Sequence, residues 1–160
     1  MDRSQEPIYV YVLLQEHGRY YIGKTGDVEK RYTDHFAGKG AVWTSIYRPQ
    51  SVSEHYISDT RFAEENKTKE YMLKYGIYKV RGGPYSSPVL DDDVVKVIQR
   101  QLWHAQDKCF QCGGDHFIVK CRNDPAKYCC RCGRDDHWAT ECIHTSDIND
   151  VPIPIGLVRK

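Results

Sequence analysis

All seven cysteines of this 160-residue chain lie between Cys109 and Cys142, and their spacing constrains the fold more than any other feature. Cys129, Cys132, His137 and Cys142 stand in the order Cys-x2-Cys-x4-His-x4-Cys. Just upstream, Cys109, Cys112, His116 and Cys121 repeat that order with one residue fewer before the histidine. Three thiolates and an imidazole complete a tetrahedral Zn²⁺ shell with no open position, so each set predicts a structural ion, not a catalytic one. Segments this short bury too little apolar surface to fold alone, and metal binding has to supply their folding free energy. A secreted disulfide scaffold would spread its cysteines along the chain, and an odd number leaves one unpaired. A redox pair is a poorer account too, because each Cys-x2-Cys has a further His and Cys at metal spacing, which redox chemistry does not need. Cys130 is left over as a free thiol.

A formal charge of +1 hides no basic half: residues 1–100 carry 15 Lys+Arg against 14 Asp+Glu, and the last 60 residues carry 8 against 8. Nucleic-acid binding would therefore have to come from a local patch. No apolar run approaches the roughly 18–20 residues of a membrane span, and the opening MDRSQEP has no signal-peptide h-region. The expectation is a soluble, intracellular protein of the cytoplasm or nucleus with no membrane partner.

IYVYVLL (8–14) alternates Ile8, Val10, Val12 and Leu14 with Tyr9, Tyr11 and Leu13, which predicts a strand buried on one face and lined by tyrosines on the other. QEHG turns it, and RYYIG predicts the second strand of a hairpin. After the Gly-rich GKTGD, a short helix runs from Asp27 as N-cap to Gly38 as stop. Its apolar stripe is Val28, Tyr32 and Phe36, and Arg31 and His35 form a neighbouring stripe, so those two polar side chains point the same way. A loop ends in AVWT, and SIYRPQSVSEHYI reads as a broken β run around Pro49. Thr60 caps a second helix to Gly76, and VRGGPYSSP is a loop. LDDDVVKVIQRQLWHAQ predicts a third helix, with Asp91 to Asp93 at its N-terminus and Val94, Val97, Ile98, Leu102 and Trp103 as its apolar face. The pattern divides the chain into a first domain at 1–89, a helical connector at 90–106, the tandem cysteine motifs at 107–143, and an extended tail or strap at 144–160.

Tyr9-Val10-Tyr11, then Tyr21-Ile22-Gly23, then Arg31 and His35 resemble the GIY-YIG nuclease superfamily, over roughly residues 8–83. Tyr9-Val10 stands for the Gly-Ile of the first motif. The resemblance implies an α+β fold, a small three-stranded sheet flanked by helices, and a metal-dependent endonuclease that hydrolyses phosphodiester bonds in DNA. Tyr11 and Tyr21 fall on the two motif tyrosines, Arg31 on the catalytic arginine, and His35 on a frequently accompanying histidine. The metal-binding glutamate of the family falls on Glu64, with Glu65 adjacent as the alternative, and Lys79 stands where many members carry Asn. GAVWT and KYGIYKVRGGPYS resemble the branch seen in large-DNA-virus proteins and structure-selective nucleases, which makes virus-infected cells one setting.

The implied chemistry gives these residues distinct tasks. Arg31 offers a bidentate fork to the phosphate, and one Mg²⁺ or Mn²⁺ on Glu64 would serve the leaving oxygen. Tyr11 is the base, provided that Arg31, Lys24 and the metal lower its ordinary pKa of about 10; His35 or Tyr21 then passes the proton onward. Taken singly, tyrosines on a strand, an Arg and His one turn apart, and adjacent glutamates on a helix are ordinary packing and surface charge. In order and at family spacing they describe one pocket.

The cysteine motifs resemble tandem CCHC zinc knuckles, which implies two structural Zn²⁺ ions and contact with single-stranded or flexible nucleic acid. Phe110, Phe117 and Trp138 are the stacking candidates, and Lys120, Arg122, Lys127, Arg131 and Arg134 supply charge. Asp115, Asp135 and Asp136 dilute it. DNA, branched or single-stranded, is the expected partner. Two rival readings stay open: a noncatalytic, chaperone-like nucleic-acid-binding protein on a GIY-YIG scaffold, and a zinc-stapled module whose knuckles bind a protein partner.

Overall fold

The computed structural model describes residues 6–157. Most of the MDRSQEP opening and the last three residues of the C-terminal tail lie outside the described residues. The chain forms two compact units, one comprising residues up to Tyr75 with Lys79–Pro88, the other Gly76–Tyr78 with the residues from Val89 onward. No helix among the described residues is long and apolar enough to cross a membrane.

The first unit is α+β. Strands β1 (Tyr9–Gln15), β2 (Arg19–Thr25), β3 (Pro49–Ile57) and β4 (Val80–Gly82) form one sheet in the order β3-β1-β2-β4. β1 and β2 are the expected antiparallel hairpin, in a register that sets Tyr11 opposite Gly23. His17 and Gly18, at φ 58° and 66°, reverse the chain between them; consecutive positive-φ residues match the right-handed twist of paired strands. β3 flanks β1 on its other side, and Pro49 heads this edge strand, where a missing N–H costs no ladder bond.

Three features depart from the sequence reading. Because β1 is an inner strand, Val10, Tyr11, Val12 and Leu13 are all buried, so no face of it is an open tyrosine surface. A fourth strand, β4, pairs in parallel with β2 at Tyr20–Ile22; three residues are too few to show a two-residue period, and their partner is remote in sequence. In α1 (Val28–Phe36) the buried residue is His35, while Phe36 is 50 % exposed. A polar ring takes the inward position because both its nitrogens find partners there, which removes the cost of burying it.

Helix α2 (Val42–Ile46) replaces part of the expected loop and buries Trp43 and Thr44. One turn carries no readable periodicity. Helix α3 (Ala63–Tyr75) begins just after Thr60, whose hydroxyl accepts the Phe62 N–H at 2.9 Å.

In the second unit, helix α4 (Asp92–Ala105) buries Val95, Ile98 and Leu102, an i, i+3, i+7 seam. Val97 is 52 % exposed, so the buried face is rotated from the expected one. The Asp92 carboxylate accepts the Ala139 N–H at 3.1 Å, tying the start of α4 to the second cysteine motif. Residues 145–153 return across that motif: Ile148 N–H donates to the Cys132 carbonyl at 2.8 Å, and Arg134 donates to the Ser146 carbonyl at 3.0 Å.

Candidate active site and metal centres

Tyr11 is fully buried in β1, and its phenol lies across Gly23 so closely that a Cβ at position 23 would collide with the hydroxyl. Glycine is what lets the ring lie over the hairpin. Helix α1 brings two side chains to the same oxygen. Arg31 Nε donates to the Tyr11 hydroxyl at 3.1 Å, and His35 Nε2 lies 2.7 Å from it. On its far side, His35 Nδ1 lies 3.0 Å from Thr44 Oγ1, and the Thr44 hydroxyl donates to the Ala41 carbonyl at 2.7 Å. That donation fixes the direction of the whole chain. Thr44 has no second proton to give, so Nδ1 carries the imidazole hydrogen and Nε2 is left as the acceptor of the Tyr11 O–H. Gly40 leaves room for this arrangement, since a Cβ there would strike the imidazole.

Burial shapes the titration of the cluster. It pushes the Tyr11 phenol well above its ordinary value, and the hydrogen bond from Arg31 offsets only part of the rise. The chain's own cations therefore do not lower Tyr11 as expected from sequence; at rest it is a neutral phenol. Tyr21, 6 % exposed, is raised by burial too, and its ring centroid is 5.1 Å from that of His35. Burial, helped by the Arg31 charge, lowers His35 to about 4, so its imidazole is neutral at physiological pH.

Glu64, near the start of α3, is half-buried and lies 3.6 Å from Lys24 Nζ. Burial raises its pKa and Lys24 opposes the rise, with Arg31 contributing in the same direction as Lys24. Glu65 is engaged elsewhere, by Lys69 at 2.8 Å and the Tyr85 hydroxyl at 3.3 Å. Of the two adjacent carboxylates, Glu64 is thus the one that shares its electrostatic surroundings with Tyr11, Tyr21 and Arg31. A desolvated carboxylate with a cation drawn to it fits a Mg²⁺ or Mn²⁺ that takes one protein oxygen and keeps its waters.

Sequence reasoning missed two partners of this cluster. Thr44 sits in the one-turn α2, where no pattern pointed to it. Tyr32, read as part of an apolar stripe, packs edge-on to Tyr11 with centroids 5.5 Å apart and shares a 3.1 Å hydrogen bond with His55 Nδ1.

Both cysteine motifs gather their ligands. In each of the sets Cys109, Cys112, His116, Cys121 and Cys129, Cys132, His137, Cys142, the ligand atoms all lie within 4.8 Å of one another. Zn–S and Zn–N bonds of roughly 2.3 and 2.0 Å give tetrahedral edges of about 3.8 Å for S···S and 3.5 Å for S···N. The Cys112–Cys121 separation of 3.6 Å and the Cys112–His116 and Cys132–His137 separations of 3.6 and 3.4 Å match those edges. Both groups could hold zinc. Asp136, one of the acidic residues preceding a histidine, accepts from His137 Nδ1 and thereby turns Nε2 toward the sulfurs, the usual outer support of a metal-bound imidazole. Asn123 Nδ2 donates to Cys112 Sγ at 3.3 Å and, as the largest influence, helps bring that thiol down to about 7. The second set is more deeply buried than the first.

The basic residues assigned to nucleic acid divide sharply. Arg131 is 5 % exposed and donates through Nη1 to the Cys142 carbonyl at 3.1 Å, so it is no surface contact. A Zn²⁺ held by three thiolates would carry a net charge of −1, a counter-charge within the same motif as this buried guanidinium. Lys127 pairs with Glu141 at 3.3 Å, and Arg134 is spent on the carbonyls of residues 146 and 147. Lys120 and Arg122 are exposed. Phe117 is 78 % exposed, Phe110 40 % exposed, and Trp138 half-buried beneath Lys96, whose Nζ is 5.0 Å from the ring centroid.

Residues 7–75 match the family described as the GIY-YIG catalytic domain. The chain is 36 % identical over 72 residues to a UPF0213 protein of Xanthomonas campestris, covering 44 % of this chain and 68 % of that protein. A UPF0213 protein of Staphylococcus saprophyticus is 35 % identical over 66 residues, covering 41 % and 78 %. One of Halalkalibacterium halodurans is 31 % identical over 86 residues, covering 49 % and 89 %. These relatives are bacterial, so the large-DNA-virus likeness rests on GAVWT and KYGIYKVRGGPYS alone. No solved structure gives a significant match.

Proposed function

Because this chain belongs, through its first unit, to the GIY-YIG catalytic-domain family, we propose that it is a metal-dependent DNA endonuclease. The observation that carries the reading is the Tyr11 hydroxyl, held between the guanidinium of Arg31 and the bare Nε2 of a neutral His35. A phenol kept protonated by burial is a poor base alone, but here it is one member of a relay. As Tyr11 takes a proton from the attacking water, it gives its own to His35 Nε2, and no free phenolate forms in a pocket that disfavours one. Arg31 binds a nonbridging phosphate oxygen and offsets charge developing on phosphorus. Glu64 would hold the Mg²⁺ or Mn²⁺, which when bound supplies positive charge for the leaving oxygen. Tyr21 packs against His35 and helps to keep water from the relay.

The zinc-motif unit is assigned to substrate binding, with Phe110, Trp138 and Lys120 as its accessible contacts. Seven cysteines free of disulfides suit a reducing compartment, the cytoplasm or nucleus. The test is cleavage of labelled duplex, single-stranded and branched DNA with Mg²⁺ or Mn²⁺ by zinc-replete protein. Arg31→Ala and Glu64→Ala should each lower the rate at least about 100-fold. If no substrate is cut while single strands bind in a salt-dependent way, the chain is instead a noncatalytic nucleic-acid-binding protein on this scaffold.

A further inference from the structure

Within the second unit, α4 and the two cysteine motifs wall a cleft of about 270 Å³ that the catalytic reading does not use. Trp103, Lys96 and Arg100 come from α4, Phe110 from the first motif and Trp138 from the second. Among the described residues that line it there is no carboxylate, although the chain as a whole is nearly neutral. Lys96 also meets Asp93 at 3.3 Å, but that carboxylate is 94 % exposed and does not line the cleft.

The aromatic walls are held in place before any ligand arrives. Trp103 packs on Gly113, where a Cβ would approach the indole Nε1 to 2.6 Å. Phe110 packs against His104, with centroids 5.5 Å apart, and Lys96 lies over Trp138. Rigid aromatic faces beside cations, with no carboxylate lining the cleft, suit a ligand with a flat apolar part and an anionic part, and fixing them in advance lowers the cost of binding. The two motifs are unequal in this respect. Phe117 and Trp138 each follow the motif histidine, yet only Trp138 lines the cleft.

We propose that this cleft binds one unpaired nucleotide of single-stranded DNA, its base between Trp103 and Trp138 and its phosphate on Lys96 and Arg100. Every base has a face to stack, so the site tolerates any sequence. A duplex is disfavoured, because a base enters such a cleft only after leaving its stack. The proposal deepens the DNA-binding role assigned above to this unit and rests on that reading.

The experiment titrates a short oligo-dT into the full-length, zinc-replete protein without Mg²⁺ or Mn²⁺, following tryptophan fluorescence and oligonucleotide anisotropy. Oligo-dT should quench the fluorescence, and Trp103→Ala and Trp138→Ala should each weaken binding by roughly 5- to 150-fold. Lys96→Ala with Arg100→Ala should flatten the salt dependence of log K by about 0.7 to 1.4. Trp138→Phe, checked for zinc content, keeps a stacking face and should bind within a few-fold of wild type even if the alanine variant folds poorly. Phe117→Ala should change nothing. Wild-type affinity in Trp103→Ala and Trp138→Ala, equal competition by duplex, or no oligo-dT binding would each overturn the proposal. Failure of the catalytic reading shows separately: wild-type protein that cuts no substrate with Mg²⁺ or Mn²⁺ refutes that reading, while the oligo-dT titration without those ions judges the cleft.

Discussion

Thr44→Val changes one hydroxyl to a methyl at a site where the two side chains concerned, Thr44 and His35, are 1 % and 0 % exposed. The hydroxyl accepts from His35 Nδ1 at 3.0 Å and donates to the Ala41 carbonyl at 2.7 Å. Without it the Nδ1–H is a buried donor with no acceptor, a cost of about 1–3 kcal/mol. The ring can escape that cost by moving its proton to Nε2, but there it faces the Tyr11 hydroxyl at 2.7 Å and ceases to be an acceptor. On either branch the same 1–3 kcal/mol is taken from the relay, a loss of roughly 5- to 150-fold in cleavage rate. Nitrogen chemical shifts of His35 read the tautomer without any appeal to activity. Wild type should show a protonated Nδ1 and a bare Nε2, and Thr44→Val a shift toward the other form. Thr44→Ser, which keeps the hydroxyl, should restore both shifts and rate. A Thr44→Val protein with the wild-type tautomer and a cleavage rate within twofold would refute the argument.

Other consequences are as direct. His35 is lowered to about 4 from an ordinary 6.5, so between those values the unfolded chain binds the extra proton and the folded one does not. Stability is then fully present above pH 6.5 and falls by about 3 kcal/mol as the pH drops to 4, and the His35 proton resonances should stay flat from pH 8 to 5. Gly23→Ala drives a methyl into the Tyr11 hydroxyl; overpacking of this kind costs about 1–3 kcal/mol, visible as a lower melting temperature together with a large loss of cleavage. Under a competing chelator zinc should leave in two phases, first from the more exposed set of Cys109, Cys112, His116 and Cys121. Cys132→Ser should abolish the slow phase and Cys112→Ser the fast one, as read by metal release.

By itself the sequence determined the features whose cause is local. The β1–β2 hairpin follows from short-range alternation and a turn, the Asp27 cap from one side chain and the Lys30 N–H it accepts, and the two metal sets from ligand spacing along a short loop. The proximity of Tyr11, Tyr21, Arg31 and His35 was legible as a pattern, because adjacent strands and the helix that follows them bring those positions near one another. Tertiary structure decided everything that depends on what covers a residue. Placing β1 inside the sheet buried Tyr11 and raised its pKa where its charged neighbours alone suggested a fall. Partners on both nitrogens drew His35 inward in place of Phe36. Arg131 and Trp103 left their expected roles for the same reason: the one is buried with its guanidinium on the Cys142 carbonyl, and the other, read as helix core, lines a cleft. Periodicity tells which residues share a face, but burial and hydrogen-bond direction are set by distant segments of chain, and the chemistry of this protein depends on both.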